Sequence, residues 1–540
     1  MVYDDFPVYS DVKELVLEGA RVGGDKKEFV FEDDDGNVCE RTFSQVHDDE
    51  MRLGSYLRSV GVTPPMKIGI LCENCYFWNV IYYTAAAGGY VSVPLDTRLT
   101  GGEIAGQLAD CSCDVLFYSD ILEDKVQIIR SSDNCAVKLF IALGELQSIL
   151  DRGEALREQY EEEYLGCDVS PEDLLSIVYT SGTTGKTKGV MLSHKNVMAD
   201  CNSSNRANTG GHAIGFLPLN HTYSWVTGLF SGLIRTEWGF ICTKLSHIYQ
   251  DIQNYKPYQF AAVPLVVEFI YNGILREAKR KGTYDKLMEG IEISNNFLLS
   301  GYDARNDLFS EIHESLGGNL KYIFCGGAYL DPVIEKFFND IGIPVLTGYG
   351  LTECSPVVAT SRLHGGRRRG SLGLPLDCNE VIIHDPDENG IGEIYIRGDN
   401  VMMGYYGDPE ATAEAFDGDW LKSGDYGYFD KDGYLYFTGR KKNLIILSNG
   451  KNVSPEDIEN VLNRIDIIKE VIVYAEKDKI TAECYLDEDT YPDARERLQG
   501  EIERVNKDLA DYKRVSSIKI RDTEFPKTTS LKIIRNYAKT

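Results

Sequence analysis

The residues Thr180-Ser181-Gly182-Thr183-Thr184-Gly185-Lys186-Thr187-Lys188-Gly189 concentrate hydrogen-bond donors and positive charge in one short stretch. Its glycines let the backbone turn tightly and aim amides inward without side-chain clashes. Hydroxyls and two lysines surround them, so the loop can wrap a triphosphate. A Walker A loop would need a glycine where Thr180 stands and a helix beginning at Lys186. Here Gly189 follows and Val190-Met191-Leu192 reads as strand, which argues against a Walker-type NTPase. The bland alternative is a polar surface turn.

Tyr349-Gly350-Leu351-Thr352-Glu353 comes directly after an apolar run at 345–347. That is the C-terminal end of a strand, the edge where α/β sheets bind ligands. A carboxylate beside a triphosphate is costly unless a cation lies between them, so Glu353 reads as a Mg²⁺ ligand. Tyr349 offers a flat face to a base. The competing reading is the start of a helix capped by Thr352 or Ser355. Gly326, Gly327 and Ala328 follow another apolar run, 322–325, and allow backbone to approach a planar ligand closely. Taken alone, Asp425 reads as a turn aspartate, Arg440-Lys441-Lys442 as a surface basic run, and Pro526-Lys527-Thr528-Thr529-Ser530-Leu531-Lys532 as a basic tail.

Something must hold these residues. Apolar runs at 68–71, 114–118, 137–141, 174–180, 259–263, 322–325 and 345–347 recur between helical patterns such as 43–60. That alternation indicates an α/β arrangement containing parallel sheet. The opening 50 residues are weakly patterned. From about 370 the texture changes to short strands at 381–384, 393–397 and 434–439, separated by Asp/Gly turns. Beyond them, helices at 455–463 and 494–510 flank strands at 471–475 and 481–486. The expected organisation is a large α/β domain over 1–440, with a small antiparallel subdomain, and an α+β domain over 441–540.

The chain has 540 residues, 84 acidic and 56 basic, for a net charge of -28. That balance argues against broad nucleic-acid binding. The start, MVYDDFPVYSD, is acidic where a targeting segment would be basic, and with 13 cysteines it suggests a reducing, cytoplasmic setting. Cys72, Cys75, Cys111 and Cys113 can be drawn as zinc ligands, but without a zinc-finger context they read as small buried thiols. Residues 75–95 carry no charge. Gly88, Gly89, Ser92 and Pro94 interrupt them, so they read as a buried helix at 77–87 and a strand at 90–93 rather than a membrane span.

The stretch Tyr179 to Gly189 resembles the phosphate loop of the adenylate-forming superfamily, which includes acyl-CoA synthetases, nonribosomal peptide adenylation domains and luciferases. The resemblance is weak from about residue 40 and strong from Tyr179 onward, with Thr187 replacing the usual proline. It implies a loop, Thr180 through Lys186, that closes over the β- and γ-phosphates of ATP. It implies that Gly326, Gly327 and Ala328 line the adenine pocket and that Tyr349, after Gly348 and before Gly350, packs on the base. Thr352 then contacts the α-phosphate and Glu353 holds Mg²⁺, while Asp425 and Arg440 meet the ribose. Lys442 matches the hinge on which the C-terminal domain pivots. Asn449-Gly450-Lys451 matches the loop that swings over the pantetheine channel, with Asn449 in place of a glycine. Lys532 matches the lysine that reaches the carboxylate and α-phosphate, and Leu531 replaces the glycine before it.

Leu217-Pro218-Leu219-Asn220-His221-Thr222-Tyr223-Ser224-Trp225 resembles the acyl-pocket segment of the long-chain fatty acyl-CoA synthetases, in which a tryptophan gates a fatty-acid tunnel. A core aromatic is the plain alternative for Trp225. The implied activity is conversion of a medium- or long-chain fatty acid to acyl-AMP and pyrophosphate, then transfer to CoA. The implied co-substrates are ATP and CoA, with Mg²⁺. An acyl carrier protein is the rival acceptor; Arg367-Arg368-Arg369 could serve it as a local basic patch, but the run reads by default as solvated surface. A catalytically silent nucleotide-binding scaffold is the reading from another class. A homodimer and peripheral contact with a membrane inner face stay open.

Overall fold

The computed structural model describes residues 6–33, 35–181, 187–208, 210–242, 247–363, 365, 367–447, 452–476, 479–527 and 533–535. The chain divides into two compact units. One comprises Met1–Arg369, Gly373–Glu380 and Ile396–Leu421; the other comprises Gly370–Leu372, Val381–Tyr395 and Lys422–Thr540.

The first unit is built on two large sheets. A nine-stranded sheet holds, in spatial order, Leu374–Pro375, Val357–Thr360, Val345–Gly350, Tyr322–Cys325, Gln259–Ala262, Ala213–Gly215, Gly239–Ile241, Lys27–Glu32 and Val38–Thr42. Its central strands run parallel, and antiparallel strands close both edges. Helices such as Pro264–Arg280 and Pro332–Asp340 cover it, burying Val267, Ile270 and Phe338 with Phe260, Ile323 and Val345. A seven-stranded sheet has the order Gly404–Tyr405, Thr187–Ser193, Leu174–Ser181, Val91–Pro94, Lys67–Leu71, Val115–Tyr118 and Leu139–Ala142.

The weakly patterned opening is in fact structured. Asp11 accepts the Glu14 N–H at 2.8 Å and starts the helix Val12–Gly23. Lys27–Glu32 pairs in parallel with Gly239–Ile241, a partner some two hundred residues away that no local pattern announces. Val38–Thr42 buries none of its residues, so it shows no alternation to read. The uncharged run at 75–95 forms the helix Tyr76–Ala87, buried at every position except Phe77, followed by the strand Val91–Pro94. Among the described residues no helix is long and apolar enough to cross a membrane.

The antiparallel strands expected past 370 are observed as Asn379–His384, Gly392–Gly398 and Leu435–Arg440, and an additional long strand, Trp420–Phe429, pairs with the last of them. The second unit also holds an antiparallel pair, Ile468–Glu476 with Lys479–Leu486, and Ser517–Arg521 parallel to the latter. Ile458 and Leu462 of the helix Pro455–Leu462, and Leu498 and Ile502 of Ala494–Asn506, bury against Val471 and Ala482.

Candidate active site

The strands Leu174–Ser181 and Thr187–Ser193 pair antiparallel, with Thr180 opposite Lys188 and Ser181 opposite Thr187. Gly182, Thr183, Thr184, Gly185 and Lys186 lie outside the described residues, as does the Ser181 side chain. The loop thus joins two strands of a hairpin, and a strand stands where a Walker loop would begin its helix. The outgoing strand ends at Ser193, which makes a reciprocal capping box with Asn196 and starts the helix His194–Ala207. On the incoming strand the Tyr179 hydroxyl lies 2.9 Å from Asp110 Oδ2 and from the Gln107 carbonyl. That contact fixes the root of the hairpin.

Tyr349 is buried at the C-terminal end of Val345–Gly350. A Cβ on Gly350 would sit 1.8 Å from the Pro356 carbonyl oxygen, so only glycine permits the chain to fold back here. Thr352–Cys354 is a single 3₁₀ turn whose preceding residue makes no side-chain cap. This replaces the capped helix start that the sequence also allowed. The turn is held from below by buried polar groups. Asp200 Oδ2 accepts the Val357 N–H at 2.6 Å, and Asn400 Nδ2 donates to the Cys354 and Val357 carbonyls at 3.0 and 2.9 Å. Burial pushes the Asp200 carboxyl well above its usual range, against the opposing pull of the Val357, Ser204 and Asn400 hydrogen bonds. On the open side Glu353 Oε1 accepts the Tyr405 hydroxyl at 2.9 Å, and its carbonyl accepts the Met402 N–H at 2.8 Å.

Gly326 is buried after Tyr322–Cys325, while Gly327 and Ala328 are exposed. A Cβ on Gly326 would meet the Tyr223 ring at 3.5 Å, so the segment carrying His221 and Trp225 runs beside the proposed adenine segment. Trp225 opens a π-helix, Trp225–Phe230, and is fully buried. Its ring packs 5.1 Å from Tyr82 and 5.6 Å from Phe230, centroid to centroid, and its indole N–H has no hydrogen-bond partner among the described residues. π-Helical turns recur at functional sites, and nothing in the residue pattern signals this one.

In the second unit Asp425 and Arg440 face each other across the antiparallel strands. Arg440 Nε lies 3.2 Å from Asp425 Oδ1, and the aspartate side chain is 6% exposed against 45% for the arginine. Beside them Lys441 donates to Glu393 at 2.7 Å. Lys442 is exposed, yet its ammonium sits below the usual lysine range because of partial desolvation and then the Arg440 charge. Asn449, Gly450, Lys451 and Lys532 lie outside the described residues. Either side of the segment holding Lys532, Lys527 bridges to Ile533, and Arg535 Nη1 donates to Glu459 Oε1 at 2.7 Å.

Among the described residues no three or more His, Cys, Asp or Glu gather into a metal site, and the described cysteines are free thiols. The donor set that is present, one oriented carboxylate next to a threonine, fits Mg²⁺, which keeps several waters and is shared with substrate phosphates. Sequence reasoning overlooked Tyr405, Asp200 and Asn400. Only Asp200 carried a signal, as an acid on a helix whose neighbours Val197, Met198 and Cys201 are buried.

Comparison with known proteins decides the family. A model of the AMP-binding enzyme matches residues 18–406, and one of the AMP-binding enzyme C-terminal domain matches residues 442–540. The chain belongs to the AMP-binding enzyme family, the adenylate-forming enzymes. Long chain acyl-CoA synthetase 1 of Arabidopsis thaliana is 29% identical to it, over 81% of this chain and 72% of its own length. Long-chain-fatty-acid–CoA ligase 5 of Rattus norvegicus is 31% identical, over 81% and 69%. The anthranilate CoA ligase AuaEII, solved in complex with anthranoyl-AMP, superposes with a TM-score of 0.79 at 21% identity, covering 100% of this chain and 98% of that one. At that identity the likeness establishes the fold.

Proposed function

We propose that the protein activates a medium- or long-chain fatty acid with ATP, forming acyl-AMP and pyrophosphate, and then transfers the acyl group to CoA. The observation that carries this reading is the Glu353 carboxylate, fixed by Tyr405 at the C-terminal edge of a parallel sheet. With the phosphate hairpin, it supplies a place for a metal-bound triphosphate. The long-chain synthetase relatives support a fatty acid as the substrate.

The acid's carboxylate is itself the nucleophile, so no serine or cysteine nucleophile is needed. Lys186 and the hairpin amides hold the β- and γ-phosphates, Thr352 meets the α-phosphate and Tyr349 packs on the base. Glu353 would hold Mg²⁺, which when bound would supply positive charge against the phosphate oxygens. Asp425 and Arg440 hold the ribose. Residues 441–540 act as the mobile domain, with Lys442 at the hinge; they bring Lys532 to the α-phosphate for adenylation and the 449–451 loop to the pantetheine channel for transfer. Enclosing the adenylate in this way protects a mixed anhydride from water. His221 and Trp225 border the acyl chain.

Mass-spectrometric product analysis with ATP, Mg²⁺ and a panel of short to long fatty acids, with and without CoA, tests the reading. Acyl-CoA of one length class is the expected product. Lys532→Ala should still bind ATP but adenylate far more slowly. Acyl-AMP that accumulates in the presence of CoA would point to a carrier-protein acceptor. ATP binding with no pyrophosphate from any acid would mark a silent scaffold.

A further inference from the structure

We propose that Tyr405 is a positioning residue that couples the strand leaving the phosphate hairpin to the Glu353 carboxylate, setting the affinity of that carboxylate for the metal of a metal–ATP complex. The proposal rests on the reading of Glu353 as the Mg²⁺ ligand.

Tyr405 is fixed at its backbone before its side chain does anything. It lies opposite Val190 in an antiparallel pair, and the next residue, Tyr406, donates its N–H to the Gly189 carbonyl at 2.7 Å. The Tyr405 N–H donates to Thr412 Oγ1 at 2.9 Å, and that hydroxyl donates to the Asp408 carbonyl at 2.9 Å. Gly404 precedes it at φ 137, and a Cβ there would meet Thr412 at 2.8 Å, so the approach demands glycine. From this anchor the ring takes the Lys188 ammonium over its face, 4.7 Å from the centroid. Its hydroxyl reaches Glu353 Oε1 at 2.9 Å.

One aromatic side chain therefore touches both parts of the proposed triphosphate site, Lys188 next to the loop and Glu353 on the neighbouring sheet. In this pair the phenol O–H donates and the carboxylate oxygen accepts. With Oε1 engaged, the carboxylate is held in one orientation, and among the described residues Oε2 takes no hydrogen bond and can face a cation. The hydrogen bond also draws charge from the carboxylate, which weakens it as a ligand. Orientation outweighs that loss in protein metal sites, where removing an outer hydrogen-bond partner costs about 10- to 100-fold in metal affinity.

The test is calorimetric titration of ATP into the full chain over a series of free Mg²⁺ concentrations, for wild type, Tyr405→Phe and Glu353→Gln. Tyr405→Phe keeps the ring that faces Lys188 and removes only the hydroxyl. It should need about tenfold more free Mg²⁺ to reach half of the full ATP affinity. Its ATP binding in EDTA and its melting temperature should match wild type. Glu353→Gln should shift the Mg²⁺ requirement in the same direction. If Glu353→Gln shifts and Tyr405→Phe does not, the proposal is wrong while the metal-ligand reading stands. If neither shifts, the Glu353 reading fails and takes the proposal with it.

Discussion

Asp425→Asn separates a binding role from a structural one, because the geometry gives the two different sizes. The aspartate side chain is 6% exposed and its partner Arg440 is 45% exposed, with 3.2 Å between Oδ1 and Nε. An ion pair with one partner that accessible contributes at most about 1 kcal/mol to folding. Asparagine keeps the shape and one acceptor oxygen, and the Arg440 that it leaves can turn to water. The fold should therefore lose about 1 kcal/mol or less. The ligand-binding cost is larger. A carboxylate accepting from ribose hydroxyls makes charged hydrogen bonds worth about 1.5–3 kcal/mol, or roughly a tenfold to hundredfold loss in ATP affinity. Calorimetric titration of Mg²⁺·ATP, with urea unfolding of the same preparation, reads both quantities. Unchanged ATP affinity in a folded variant would refute the ribose role. A loss of several kcal/mol in stability without an affinity change would make Asp425 a structural residue instead.

Other consequences can be checked separately. Asp200→Ala leaves the buried Val357 N–H without its acceptor, and should cost about 1–3 kcal/mol in urea unfolding; Asp200→Asn, which can still accept, should lose less, and equal losses would deny the hydrogen bond its role. His194 is buried with Nδ1 accepting the Val12 N–H at 3.2 Å, and burial pushes its pKa down to about 4. Its folded form thus resists a proton that the unfolded chain takes up near pH 6.5. The contribution is intact above about pH 6.5 and lost as pH falls toward about 4, amounting to about 3 kcal/mol. Wild type should lose that much more stability than His194→Gln over this window, and parallel pH profiles would contradict it. Trp225→Phe should alter the acid preference, whereas Trp225→Ala should also cost about 3–5 kcal/mol; an unaltered acid profile in a folded Trp225→Phe variant would remove Trp225 from the acyl pocket.

The contrast between legible and hidden residues has a physical origin. The Thr180 to Gly189 stretch declares itself because a phosphate loop needs its glycines, hydroxyls and lysines adjacent in sequence. Tyr349 to Glu353 is readable for a similar reason, as a turn at the end of an apolar strand. The α/β rhythm was plain wherever strands were buried on both faces, as in Val115–Tyr118. Tyr405, Asp200 and Asn400 act on the turn at 353–357 from distant places in the chain. Their chemistry exists only once two sheets are assembled, so no local spacing announces it. The strand Lys27–Glu32 depended on Gly239–Ile241 in the same way. The long strand Trp420–Phe429 was missed because Ser423-Gly424-Asp425 reads as a turn, and seven of its ten residues are only partly buried. Trp225 shows the limit from the other side. The resemblance of its segment to long-chain synthetases implied a gate, and its surroundings in the fold are an aromatic cluster with Tyr82 and Phe230.

The central claim is that the acid is activated by attack of its own carboxylate oxygen on the α-phosphorus of ATP. The most direct measurement supplies a fatty acid with both carboxylate oxygens labelled as oxygen-18, together with ATP, Mg²⁺ and CoA, and weighs the nucleotide product. The account predicts AMP carrying one heavy oxygen, because the bond made in the adenylate is retained when the thiol displaces it. Unlabelled AMP, or ADP with the label in inorganic phosphate, would contradict it.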